Sequence, residues 1–424
     1  MYKLIDDILT VTGDKEDFYF DPENLILFSS AKDSEKNKIV QDYKKNVKRN
    51  PFKQKKYNLD TYPRAYIELH LTDECNLKCK YCYLQENCPK SMKAMSEETI
   101  EKAFNFTVQN FPNAKSIHIS LFGGEPLLFW KKFDFLLNKA EEIFKEKKFY
   151  ISMPTNGTIY NKKIHAFLKK SNVSFCMSID GNEKIQDFLR PTLQDSSSYK
   201  TLDKNLPKFQ ALNNSLLARA TITPHNLNLT DLFAFFQKKG FKKISFALCS
   251  SAEFQIEEEK LLKEWEKLAQ FYLNHIIKDE KIIEITSFFM FFRNLHFGTK
   301  KSTYCNHGRN MFAVSIDEKL YSCHRFVGDD KRQIGDLDNG FNKESTYLGN
   351  LLNFDIEKSV KCKKCFAKYL CAGGCAHEQV SLPSMLSCKV IKHILYLSIL
   401  IYSELLTNHP KAFKKLEALL VKKA

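Results

Sequence analysis

The sequence predicts an α/β protein built on a partly closed parallel barrel, with a small unit before it and a cysteine-rich region after it. Three observations carry this. Strand-like and helix-like segments alternate from Tyr66 to Leu248, the alternation stops after Phe292, and thirteen cysteines fall mainly into two groups, one inside the alternating stretch and one beyond it.

The first strand is marked by Ile67, Leu69 and Leu71 alternating with Glu68, His70 and Thr72, the period of a half-buried strand whose polar side a barrel lumen would explain. Five more candidates follow at Ile117 to Phe122, Phe149 to Pro154, Val173 to Ile179, Leu216 to Ile222 and Lys243 to Leu248. Between them, Ile100, Ala103, Phe104, Val108 and Phe111 form one helical stripe, and Leu229, Leu232, Phe233 and Phe236 form another that ends at Gly240. Six β-then-α repeats imply right-handed crossovers and a ligand site at the C-terminal ends of the strands.

Outside this core, Phe18 to Phe20 and Leu25 to Phe28 flank Asp21-Pro22-Glu23-Asn24 as in a hairpin, and a basic helical stretch with Ile39, Tyr43 and Val47 runs on toward Pro51. Residues 1–62 are therefore expected as an N-terminal unit, 63–292 as the core, 293–392 as a metal-stapled region and 393–424 as a C-terminal helix packed on the exterior.

Composition narrows the function. Hydrophobic content of 43% with 27% charged residues is that of a globular chain. The formal charge of +15 is scattered rather than gathered into a basic stripe, which argues against nucleic acid as a partner. The N-terminus is too polar for an export signal, and the apolar run Ile394 to Leu405 is short and interrupted by Ser398, Tyr402, Ser403 and Glu404, so no membrane partner and a cytoplasmic location are expected. That compartment keeps thiols reduced, so thirteen cysteines point to metal before disulfides.

The first group, Cys75-Asn76-Leu77-Lys78-Cys79-Lys80-Tyr81-Cys82, follows the first strand directly. Three thiolates suit a [4Fe–4S] cluster with one iron left open, the alternative being a zinc site completed by Cys88. Further along lie Gly123-Gly124-Glu125-Pro126 after the second strand, Thr155-Asn156-Gly157 after the third and Ser178-Ile179-Asp180-Gly181 after the fourth. Each alone is also a turn signal.

Together, in register with six strands, these motifs resemble the radical S-adenosylmethionine (SAM) superfamily. The resemblance implies a partial (β/α)6 barrel, SAM and a [4Fe–4S] cluster on Cys75, Cys79 and Cys82. It assigns to SAM binding Tyr81, Gly123, Gly124, Glu125, Pro126, Thr155, Ser178 and Arg219, with Asp180 and Arg190 beside them. The reaction it implies begins when an external reductant such as flavodoxin or ferredoxin reduces the cluster, SAM is cleaved, and a 5′-deoxyadenosyl radical abstracts a substrate hydrogen.

The second group reads Cys362-x2-Cys365-x5-Cys371-x3-Cys375-x12-Cys388, preceded by Cys305 and Cys323. Zinc knuckles are one explanation of such pairs. The pattern also resembles the SPASM domain, which carries auxiliary iron–sulfur clusters in radical SAM enzymes that modify peptides and proteins. The resemblance implies two auxiliary clusters of the [4Fe–4S] kind, one on Cys362, Cys365, Cys371 and Cys388 and one on Cys305, Cys323 and Cys375. The latter set is one ligand short, leaving His307, His324 or an open iron to complete it.

Where sulfatase-maturating relatives place an Asp base after the matching Cys, this chain has His324. The function expected is therefore a radical SAM peptide maturase that installs a thioether or a carbon–carbon crosslink, with His324 as base or ligand. Formylglycine formation on a sulfatase is the enzymatic alternative, and a non-catalytic zinc-ribbon scaffold the alternative of another class. Cys176 and Cys249 are expected to be buried packing residues, and residues 1–62 a partial element for peptide recognition.

Overall fold

The computed structural model describes residues 3–32, 34–48, 51–52, 61–84, 93–278, 281–383 and 385–422. Cys88 and most of the stretch between Lys48 and Thr61 lie outside the described residues.

The N-terminal unit contains the expected hairpin, β3 (Glu16–Asp21) with β4 (Ile26–Ala31), and extends it by β1 (Lys3–Ile5) and β2 (Ile8–Thr12) into a four-stranded antiparallel meander. The Asp21 carboxylate makes the turn by accepting the Glu23 and Asn24 amides at 2.8 and 3.1 Å. The basic helix is shorter than expected, α1 (Lys36–Asn46), and packs Val40 against Ile8 and Tyr19.

All six core strands stand where the alternation puts them: β5 (Arg64–His70), β6 (Ser116–Phe122), β7 (Lys148–Thr155), β8 (Val173–Ser178), β9 (Leu217–Ile222) and β10 (Lys243–Leu248), each parallel to the next. Helices follow as the stripes indicate. The helix Glu97–Asn110 starts at Ser96, whose side chain accepts the Thr99 amide, and it buries Ile100, Ala103 and Phe104. On the inner side of the strands the buried polar pair Glu68 and His70 confirms a polar lumen.

The core sheet does not end at its sixth strand. A short β11 (Glu284–Ile285) pairs with β10, and β12 (Met311–Val314) adds in parallel to the free edge of β5 and leads into antiparallel β13 (Lys319–Tyr321), β14 (Gln333–Asp336) and β15 (Gly340–Phe341). Among the described residues the barrel and the start of the cysteine-rich region thus share one sheet of eleven strands. Strands of two to four residues carry too little period to be seen in sequence.

The C-terminal helical segment also differs from the expected exterior helix. It begins at Leu386, breaks at His409, and forms Leu386–Asn408 and Pro410–Val421. The first is long and apolar enough to cross a membrane by composition. Here it packs on the helices Glu258–Ile277 and Thr286–His296 and on β2 and β3, and buried Glu404 accepts the Asp14 amide at 3.0 Å. It is a core helix that joins the N-terminal unit to the barrel.

Candidate functional site

The C-terminal ends of β5 to β10 open into one cavity of about 640 Å3, lined by Cys75, Cys79, Cys82, Gly123, Gly124, Pro126, Thr155, Ser178, Arg190 and Arg219, and also by His324 and Arg325. That size is ordinary for a small-molecule cofactor site.

The cysteine loop is held by its neighbours on two sides. Lys78 and Lys80 donate their amides to Pro191 and Leu189 carbonyls at 2.9 and 3.0 Å, and Leu77 bridges Thr192. Asn76 accepts from the Asn156 side chain at 2.9 Å and donates to the Thr158 hydroxyl at 2.7 Å, which ties the loop to the Thr155-Asn156-Gly157 turn.

Gly123 and Gly124 also pack against the chain itself. A Cβ at Gly123 would collide with the Thr72 carbonyl and one at Gly124 with the Glu74 carbonyl. Gly124 and Glu125 donate their amides to these same two carbonyls at 2.8 and 2.9 Å. The glycines therefore let the cysteine loop lie against the second strand's end.

The Glu125 side chain is likewise turned inward. It is buried and accepts from the Thr155 hydroxyl at 2.7 Å, the Asn156 amide at 2.8 Å and the Leu127 amide at 3.1 Å. Burial pushes its carboxyl up to about 6 against these hydrogen bonds. Both oxygens are engaged by the protein, so Glu125 organises the turn that carries Thr155.

Tyr81, Asp180 and Arg190 form a buried unit. Asp180 accepts from Arg190 Nε at 2.8 Å and Nη2 at 3.2 Å, from the Thr221 amide at 2.9 Å and from the Tyr81 hydroxyl. The guanidinium lies 5.3 Å from the Tyr81 ring centre. It is also the cation beside Cys79. Burial still dominates there, pushing the Cys79 thiol up to about 12, and Cys75 is pushed up to about 12 by burial and the neighbouring thiols. Coordination to a metal removes such protons, so loading this loop releases them.

The donor chemistry fits a cluster. Among the described residues the one group of three donors within 4.8 Å of one another is Glu68, Cys323 and His324, so the three loop thiols stand further apart than a single ion requires.

In the C-terminal region, repulsion among thiolates maps which cysteines are neighbours. Cys371 is pushed up to about 12 by burial and by Cys365, Cys388 and Cys362. Cys305 is pushed up to about 11 by burial with Cys375 adding to it, and Cys323 is raised by burial, Glu68, Cys305 and Cys375. The structure therefore gathers Cys362, Cys365, Cys371 and Cys388 in one place and Cys305, Cys323 and Cys375 in another. Ala372, Gly373 and Gly374 have φ of 52°, 96° and 76°, a left-handed run that parts Cys371 from Cys375.

His324 stacks on Phe122 with ring centres 3.8 Å apart. Its Nδ1 lies 3.0 Å from Glu68 Oε1, and its amide donates to Oε2 at 2.6 Å. Burial opposes ionisation of Glu68, but His324 outweighs it and the carboxyl is held below its ordinary value. Glu68 is the site residue that sequence reading missed. Its trace there was a charged residue on the lumen side of a strand. Cys249 is buried with Leu189 and Phe254, as expected, while Cys176 is half-buried at the side of Arg219.

A family model described as the radical SAM superfamily matches residues 69–213. Residues 69–213 thus form a radical SAM domain. Its cofactors are accordingly SAM and a [4Fe–4S] cluster, and the non-catalytic scaffold falls away. Over 337 residues the chain is 25% identical to a cysteine-type anaerobic sulfatase-maturating enzyme of Clostridium novyi, covering 73% of this chain and 86% of that one. The fold is similar to native anSMEcpe solved with bound AdoMet and a peptide, with a TM-score of 0.69 at 20% identity over 82% of this chain and 99% of that one. Streptococcus suis SuiB bound to its precursor peptide SuiA is similar at TM-score 0.54 and 14% identity, over 91% of this radical SAM chain and 98% of SuiB.

Proposed function

We propose that this protein is a radical SAM peptide maturase that joins an unactivated carbon of a peptide to a sulfur or a second carbon. The observation that carries the reading is that one cavity is lined both by the cysteine loop and by His324, which adjoins Cys323 of the second thiol group. A substrate held there lies between the SAM side and the C-terminal thiols. When bound, SAM and its cluster supply the hydrogen-abstracting radical.

The chain's own residues do the rest. Cys75, Cys79 and Cys82 hold the cluster, and Gly123 and Gly124 seat that loop. Thr155, Ser178 and Arg219 line the SAM side, while Pro126 starts the short helix beyond it. The Asp180–Arg190–Tyr81 unit keeps a cation beside Cys79. Cys362, Cys365, Cys371 and Cys388 hold one auxiliary cluster, and Cys305, Cys323 and Cys375 a second. A flavodoxin- or ferredoxin-like reductant in the cytoplasm supplies electrons.

Formylglycine formation is the second reading, favoured by the sulfatase-maturating relatives and by the Glu68–His324 pair, which presents an imidazole to the cavity where a base would stand. The test is anaerobic reconstitution followed by iron and sulfide analysis and a 5′-deoxyadenosine assay with SAM and a reductant. About twelve irons and deoxyadenosine release support three clusters, four irons each, whereas about four irons remove the auxiliary centres from the proposal. Formylglycine on a sulfatase-derived Cys peptide would decide for the second reading.

A further inference from the structure

The thiol group of Cys305, Cys323 and Cys375 has three sulfurs, one fewer than a cluster with every iron ligated by protein needs, and two histidines adjoin it. They are held differently. His324 Nδ1 lies 3.6 Å from Cys323 Sγ but is shared with Glu68, whose two oxygens its amide and Nδ1 take, and its ring is stacked on Phe122 beside the SAM cavity.

His307 has no such engagement among the contacts of the described residues. Its Nδ1 lies 3.2 Å from Cys305 Sγ, and its side chain is mostly withdrawn from solvent.

The loop that carries His307 is built to hold it there. Gly308, at φ 66°, donates its amide to both the Met311 carbonyl at 2.9 Å and the Ser322 carbonyl at 3.2 Å, so the loop folds back onto the residue that precedes Cys323. A Cβ at Gly308 would strike Leu351, and only a residue without one keeps this turn tight against the helix Thr346–Leu352. Arg309 fastens the same helix end by donating to the Leu351 and Phe354 carbonyls at 3.2 and 2.9 Å. The loop thereby keeps the His307 imidazole at Cys305 while its backbone meets the residue before Cys323.

We propose that His307 is the fourth protein ligand of the auxiliary centre formed with Cys305, Cys323 and Cys375. The proposal rests on the reading that these thiols hold a cluster. Imidazole is an accepted substitute for thiolate on iron, and replacing an anionic ligand by a neutral one raises the reduction potential. The C-terminal region then contains one centre of four thiolates and one of three thiolates and a histidine, with the mixed centre at the higher potential and nearer the cavity. Its four ligands leave no iron open for a substrate thiolate, so the substrate sulfur is not captured there by direct ligation.

The test uses the full chain, reconstituted anaerobically without SAM, with Cys75, Cys79 and Cys82 all changed to Ala so that the barrel cluster is silent. Pulsed EPR of the reduced protein, with natural and 15N-labelled histidine, should show a directly bound imidazole nitrogen. The coupling should vanish in His307→Ala and persist in His324→Ala. The conservative variant His307→Cys should keep the iron content, lose the coupling and titrate at a lower potential. No nitrogen coupling at full auxiliary iron content, or coupling that survives His307→Ala, overturns the proposal. An iron content of about four rather than about eight, unchanged by Cys305→Ala, would mean that the three thiols hold no cluster; the underlying reading fails in that case, and this proposal with it.

Discussion

The two cysteine regions bring their thiols together by different means. The first places three thiols on a single loop and braces that loop with the barrel: Asn76 against Asn156 and Thr158, Lys78 and Lys80 against the 189–191 backbone, Gly123 and Gly124 against the Thr72 and Glu74 carbonyls. The second gathers seven thiols from turns, the ends of short helices and the start of a long helix, held by hairpin ladders and isolated amide contacts. A site braced by a sheet keeps its shape by itself, whereas one made of turns depends on the metal to hold it.

The largest expected effect separates the regions by chemistry. Cys79→Ala should reduce 5′-deoxyadenosine release to background, while Cys371→Ala should leave SAM cleavage measurable and abolish modified peptide. Chelation of iron should extend the comparison: limited proteolysis of the stripped chain should cut between about residues 300 and 385 first and the barrel last, because local stability follows the density of packed contacts. Equal cutting rates would show that the C-terminal fold does not depend on metal.

Next comes the buried unit behind the first loop. Asp180→Ala leaves the Arg190 charge without its partner and Tyr81 without its acceptor, and should cost about 3–5 kcal/mol in chemical denaturation. A loss below about 1 kcal/mol, the range of exposed pairs, would show that solvent reaches Arg190.

A third prediction uses two buried glutamates with opposite shifts. Glu125 has its carboxyl raised to about 6, so its contribution to stability is full below the unfolded value near 4.5 and is lost as pH rises through about 6. The shift corresponds to about 2 kcal/mol. Glu68 has its carboxyl lowered, so its contribution is full above about 4.5 and is lost as pH falls through the folded-state value. Unfolding of the reconstituted protein followed from pH 5 to 7 should therefore show the wild type losing ground to Glu125→Gln with rising pH. Glu68→Gln should run parallel to the wild type over that interval. A parallel course for Glu125→Gln would mean that Glu125 is ionised across the range.

The smallest effect concerns the turn between the two C-terminal thiol groups. Ala372 stands at φ 52°, where a side chain costs about 1 kcal/mol, so Ala372→Gly should stabilise the protein by about that amount in thermal unfolding. Destabilisation would show that the methyl group, buried in this fold, contributes more by packing than its backbone strain costs.

The sequence by itself determined the strand order of the core, the helical stripes and the identity of the thiols. These are local properties: side-chain period, turn residues and cysteine spacing are written in consecutive positions. The tertiary structure decided the rest. Glu125 reads as a SAM contact and Glu68 as a polar residue on the lumen side of a strand, and only the fold turns one onto the Thr155 turn and the other onto His324, 256 positions away along the chain. The apolar helix at Leu386–Asn408 reads as exterior until the N-terminal meander covers it, and β12 is too short to show a period until it meets the open edge of β5. Edge pairing, burial and charge partnership depend on what arrives from distant parts of the chain, and that information is absent from any single stretch of sequence.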